Sequence, residues 1–138
     1  MSTVLFLCNR NIIRSPMAAA LLGHLSQGMM TAESAGITPG EPDPLSGAAL
    51  AELGLAIAGA PRAVDDVMLG RFDQIVALSP QAQHRALELT RNLPLAVEYW
   101  QVADPSIADG SREQRLAAYR MVRDDLARKV KDRFPTGL

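Results

Sequence analysis

The chain contains a single cysteine, Cys8, and it sits in the run CNRNIIRSPM, six residues before Arg14 and seven before Ser15. Sulfur is a strong nucleophile only as thiolate, and thiolate is favoured beside a cation or at the start of a helix. Arg14 supplies the cation, a planar guanidinium able to grip two oxygens of one anion. The residues between them, Asn9, Arg10, Asn11, Ile12 and Ile13, run straight into a helical pattern. The first amides of a helix lack internal acceptors and lie at the positive end of its dipole, so they attract anions. A nucleophilic sulfur facing an oxyanion site is the chemistry this spacing points to. A lone cysteine by itself is more often a buried small hydrophobe; the C-x5-R-S spacing between an apolar run and a helix start argues for the reactive role.

Such chemistry also needs a proton donor for a leaving oxygen, and the same group can later activate water. Two Asp-Pro pairs are candidates, Asp43-Pro44 and Asp104-Pro105. Asp43 stands where a helix N-cap is expected, whereas Asp104 follows the last apolar run and precedes a loop.

These residues must be positioned by a scaffold. Val4 to Leu7 is a short apolar run that predicts a strand buried on both faces, with Cys8 at its carboxyl end. Ser15 and Pro16 then read as N-cap and first position of a helix to Leu25, stopped by Gly28. Residues 31–35 form a weaker strand pattern, and Leu45, Ala48, Ala49 and Leu53 a helix behind Asp43-Pro44, closed by Gly54. Asp65 to Leu69 suggest one or two helical turns. Phe72 to Leu78 reads as a strand, Ser79-Pro80 opens a helix to about Asn92, and Leu95 to Trp100 is a fourth strand. Ser111 and Gln114 make a capping box, ahead of an apolar stripe of Leu116, Tyr119, Val122, Leu126 and Val130. The basic and acidic residues interleaved on this last helix read as a solvated face. Strands alternating with helices imply one α/β domain, residues 1–138, on a mainly parallel sheet. In such a sheet, ligands bind outside the carboxyl ends of the strands, which is where Cys8 falls.

Composition excludes several classes. At 48% hydrophobic and 21% charged residues, with a net charge of −1, the chain has ordinary globular composition and no basic surplus for nucleic acid. No apolar run reaches the length of a membrane span, and the N-terminal stretch is too short for a signal peptide, so a cytoplasmic protein is expected. His24 and His84 have no partner at ligand spacing, so no metal is expected, and no nucleotide-binding glycine loop occurs. No cofactor is implied.

The stretch VLFLCNRNIIRSPMAAALL resembles the low-molecular-weight protein tyrosine phosphatase family, whose signature is an apolar strand followed by C-x5-R-[ST]. Agreement extends through Glu33-Ser34-Ala35-Gly36, Asp43-Pro44, Phe72 to Val76 and Asp104-Pro105, nearly the whole chain. The resemblance implies a three-layer sandwich, with a central four-stranded parallel sheet and helices on both faces. It implies that Cys8 attacks phosphorus and carries a phosphocysteine. Arg14 and the backbone amides of Asn9, Arg10, Asn11, Ile12, Ile13 and Ser15 would hold the phosphoryl oxygens. Ser15 would donate its hydroxyl to the sulfur, Asn11 would brace the loop in left-handed backbone, and Asp104, the late Asp-Pro, would be the general acid. The expected ligand is a phosphorylated protein or small molecule, or a small oxyanion.

Four departures from the family pattern bear on substrate and mechanism. Arg10 replaces a common glycine, and its side chain must point outward. Ile13 replaces a second loop cysteine, so oxidised Cys8 could not be trapped there as a disulfide. The aromatics that flank a phosphotyrosine are missing after the second strand and after Asp104-Pro105. The further cysteines through which thioredoxin-coupled arsenate reductases relay electrons are absent, which leaves arsenate reduction only with an external thiol. A non-catalytic phosphate-binding module is the remaining alternative, although it would need neither nucleophile nor acid.

Overall fold

Alternation along the first strand sorts the core into two layers. Val4, Phe6 and Cys8 point into one cluster of buried side chains, and Leu5 and Leu7 into another. The computed structural model describes residues 2–135; the outermost residues of the expected 1–138 domain lie outside that range. Its elements are β1 (Thr3–Cys8), α1 (Arg14–Leu25), β2 (Thr31–Gly36), α2 (Pro44–Ala51), β3 (Gln74–Ala77), α3 (Pro80–Leu89), β4 (Ala96–Tyr99) and α4 (Arg112–Arg133). The strands form one sheet in the order β2-β1-β3-β4, and every pair is parallel. Helices α1, α2 and α4 contribute to the Phe6 cluster, and α3 to the Leu5 cluster, giving a sheet covered on both faces. This is the expected architecture.

The strand order reverses direction between β1 and β3, and ligand crevices in open α/β sheets form at such switch points. Cys8 ends β1 there, and Leu78, just past β3, bonds back to the Leu7 carbonyl. Trp100 lies in the core between Phe6 and Phe134, with ring centroids 5.7 and 6.1 Å away, so it is a packing residue.

Most local expectations match, and the differences have physical causes. Asp43 and Ser79 cap α2 and α3, and Ser111 and Gln114 form the reciprocal capping box of α4. Ser15 is not a cap. Helix α1 starts two residues earlier, at Arg14, with Ile13 at the cap position and no side-chain cap bond, because the Ser15 hydroxyl is engaged elsewhere. The strand expected from Phe72 begins at Gln74, since Phe72 closes a 3-10 turn by bonding the Leu69 carbonyl. The last helix is not solvated on its whole charged side: Arg123 is buried, and donates to the Ala49 carbonyl near the end of α2 and to Glu52.

The edge strand β2 is held by charge as well as by the ladder. Glu33 accepts from Arg62 at 2.7 Å and from Arg71 at 2.9 Å, and Arg62 also donates to the Ser34 carbonyl. The hydrogen bonds from Arg71 lead in holding the Glu33 carboxyl down at about 2; Arg62 adds to this, and partial burial opposes it. A carboxylate with a depressed folded-state pKa stabilises the fold above its ordinary pKa, and that contribution is lost on acidification. Stability owed to Glu33 is therefore full above about pH 4.5 and disappears as pH falls toward 2. In urea titrations across that window, Glu33→Gln is expected to lose less stability on acidification than wild type; parallel curves would contradict this.

Candidate active site

The loop from Cys8 to Ser15 is organised by where its main-chain groups go. Five of its carbonyls accept from protein donors. Cys8 and Asn9 accept from Ile37, Asn9 also from Thr38, Arg10 from Gly40, Ile12 from the Ser46 hydroxyl, and Ile13 from Met17. The N–H groups of Asn9, Arg10, Asn11, Ile12, Ile13, Arg14 and Ser15 make no hydrogen bond among the described residues. Successive unpaired N–H groups of this kind make an anion-binding concavity. The turn depends on Asn11, whose φ is 59°, in the left-handed region that asparagine tolerates.

Buried side chains fix this shape from behind. The Asn11 amide donates to Ser34 Oγ at 2.8 Å and Ser15 Oγ at 2.9 Å, while its carbonyl accepts from the Arg62 N–H at 3.0 Å. Ser79 caps α3 and also donates to the Asn9 side-chain carbonyl. Gly36 ends β2 directly beneath the loop. A Cβ there would lie 2.7 Å from both the Arg10 carbonyl carbon and the Asn11 nitrogen, so only glycine fits.

Ser15, fully buried, lies 2.9 Å from Cys8 Sγ and 3.2 Å from the Ala35 carbonyl. It has one proton for these two partners. With Cys8 as thiol, the S–H can donate to Ser15 and the hydroxyl to Ala35. With Cys8 as thiolate, the hydroxyl can turn to the sulfur. Asn11 donates to the same oxygen in either case.

Across from the sulfur lies a cleft of about 410 Å³, lined by Cys8, Asn9, Arg10, Ile12, Ile13, Arg14, Asp43, Asp104 and Ser106. Arg14 is buried. Its Nη1 donates to the carbonyls of Val102 (3.2 Å) and Leu78 (3.4 Å), and it has no ion-pair partner among the described residues. A tethered guanidinium that pairs with neither aspartate of its cleft is available to an anion. Both Asp-Pro aspartates reach this cleft, but differently. Asp43 uses both oxygens, accepting from the Leu45 N–H and from Tyr119 Oη at 2.6 Å. Burial, and then the bond to Asp43, push the Tyr119 hydroxyl above its ordinary pKa, so it remains a donor. Asp104 engages only one oxygen, which accepts from Ser106 N–H and Oγ; its other oxygen has no hydrogen bond among the described residues.

The structure thus brings together Cys8, Asn9, Arg10, Ile12, Ile13, Arg14 and Asp104, while Asn11 and Ser15 lie buried behind the cleft. Sequence reasoning did not single out Ser34, Arg62, Ser46 and Gly36 as supports; Asp43, weighed there as a candidate acid and read as a cap, both caps α2 and lines the cleft. Gly36 carried a readable signal, a glycine ending a strand, which often marks close backbone approach. No aromatic residue lines the cleft among those described.

Because Gly36 has no room for a methyl group, Gly36→Ala is expected to displace the loop. Affinity for orthophosphate, measured by calorimetry, should fall at least about tenfold while the far-ultraviolet spectrum stays native. Unchanged affinity would contradict the packing.

Comparison with known proteins gives a consistent result. The family model described as low molecular weight phosphotyrosine protein phosphatase matches residues 3–135. An arsenate reductase of Bacillus subtilis (strain 168) is 27% identical over 135 residues, which cover 97% of this chain and 96% of the relative. The crystal structure of an arsenate reductase from Archaeoglobus fulgidus aligns with TM-score 0.75 and 31% identity, over 94% of this chain and 96% of that one. The YwlE arginine phosphatase of Geobacillus stearothermophilus aligns with TM-score 0.78 and 22% identity, covering 95% and 89%, a likeness of fold.

Proposed function

Since the chain belongs to the low molecular weight phosphotyrosine protein phosphatase family, we propose that it hydrolyses phosphomonoesters through a phosphocysteine at Cys8. The observation that carries this reading is the meeting of three things in one cleft: the lone sulfur, a loop of unpartnered amides, and an aspartate with one free oxygen. Binding phosphate alone would need only the second.

In the first step, Cys8 Sγ attacks phosphorus and the bond to the ester oxygen breaks. Protonated Asp104 gives its proton to that oxygen, so the leaving group departs as an alcohol or phenol. The three equatorial oxygens lie against Arg14 and the loop amides, whose fixed dipoles match the charge of the transition state. In the second step, Asp104 takes a proton from water, the water oxygen attacks phosphorus, and the sulfur–phosphorus bond breaks. The Ser15 hydroxyl, turned from Ala35 to the sulfur, stabilises the departing thiolate. With no aromatic wall in the cleft, nothing favours a phenyl ring over another leaving group.

The arsenate reductase relatives support a second reading. Here Cys8 would attack arsenate and release hydroxide. Because the chain has one cysteine, the two electrons must come from an external thiol. That thiol would attack Cys8 sulfur, release arsenite and leave a mixed disulfide for a second thiol to reduce.

Turnover of an aryl phosphate without added thiol or metal separates these readings. Wild type is expected to release phenol and phosphate, Cys8→Ser to be inactive, and Asp104→Asn to be slower by about 10²- to 10⁴-fold. Failure of wild type on aryl phosphates, with arsenate reduced only when a small thiol is added, would replace the phosphatase reading by the reductase one.

A further inference from the structure

Arg10 lines the same cleft as Cys8 and Arg14, yet nothing in the catalytic steps uses its side chain. It is exposed, and its guanidinium makes no hydrogen bond or ion pair among the described residues. It is nonetheless held at its base. The Arg10 carbonyl accepts from Gly40 N–H at 2.9 Å, and its stem lies over that glycine: a Cβ at Gly40 would come within 3.2 Å of Arg10 Cβ and 3.4 Å of Cδ. The stem of this arginine is therefore laid along a neighbouring loop, with the charged head left to solvent at the cleft.

The other charged groups of the cleft are committed. Arg14 is tethered to two carbonyls, Asp43 is engaged through both oxygens, and Asp104 is engaged through one. Arg10 is the cleft cation whose guanidinium makes neither a hydrogen bond nor an ion pair among the described residues. The phosphoryl oxygens already have Arg14 and the loop amides. From this juxtaposition we infer that Arg10 forms a subsite for a second anionic group, so that the preferred substrates are phosphomonoesters whose leaving group carries a carboxylate or a further phosphate. The inference rests on the phosphatase reading and names the substrate class it serves. An arginine suits the task, because it stays charged at any working pH and meets a carboxylate or phosphate through two parallel N–H groups.

The test compares kcat/KM for 3-carboxyphenyl phosphate and phenyl phosphate at fixed ionic strength, in wild type, Arg10→Gln and Arg10→Lys. Calorimetry of both esters on Cys8→Ser, with and without Arg10→Gln, runs beside it. Wild type is expected to favour the carboxylated ester about 3- to 10-fold, through KM. That preference should vanish in Arg10→Gln and survive in part in Arg10→Lys. A ratio that Arg10→Gln leaves unmoved would overturn the subsite while the phosphatase stands. So would an equal loss on both esters, which would mean that Arg10 grips the transferred phosphoryl itself. If wild type turns over neither ester, the phosphatase reading fails, and the calorimetry decides the subsite alone: an Arg10-dependent preference supports it, and its absence, or no binding of either ester, refutes it.

Discussion

The constraint on which the site depends is the division of main-chain polarity between Cys8 and Ser15. A buried carbonyl or N–H without a partner is costly, so chains rarely leave a run of them unpaired. Here the carbonyls of Cys8, Asn9, Arg10, Ile12 and Ile13 are satisfied by Ile37, Thr38, Gly40, Ser46 and Met17, while the N–H groups from Asn9 to Ser15 have no partner among the described residues. The loop can be held rigidly without using the groups that an anion needs. The guanidinium of Arg14, fixed by the Leu78 and Val102 carbonyls and without an ion-pair partner among the described residues, extends the same field. The proposed phosphoryl transfer follows from this arrangement: the dipoles are in place before charge develops, and no reorganisation is asked of them during reaction.

The remainder of the molecule keeps that loop where it is. Gly36 lets β2 pass directly beneath it, and Asn11 ties it to Ser34, Ser15 and Arg62. Glu33 holds Arg62 and Arg71, linking the edge strand to the segment that supplies the Arg62 N–H. Below, Phe6, Trp100 and Phe134 pack together on the face of the sheet that Cys8 also faces. Electrostatic clamps at the sheet edge and apolar packing beneath it thus converge on one strand terminus.

Much of this was legible in the sequence, because the signals are local. An apolar run, a cap with proline behind it and a capping box each rest on neighbouring residues, and they located the elements to within a few positions. The reading of Ser15 shows the limit. A serine before proline is a good cap by local rules, but the sheet returns Cys8 to within 2.9 Å of its hydroxyl, and that contact takes precedence. Arg62 was invisible for a related reason: it serves through a backbone N–H in an irregular segment, and a main-chain donor leaves no mark on residue type. Strand β2 was faint because it is an edge strand with half-buried residues, so its sequence, TAESAG, lacks the apolar run of β1.

The central claim is that the unpartnered amides beside Cys8 receive a tetrahedral oxyanion. Backbone amide shifts recorded during titration with orthophosphate measure this directly, with no assumption about substrate. The account predicts that the largest saturable shifts fall on the N–H groups of Asn9 through Ser15, leaving out Pro16, which has none. Shifts absent from this loop, or centred elsewhere, such as around Arg112 and Arg115 at the start of α4, would contradict it.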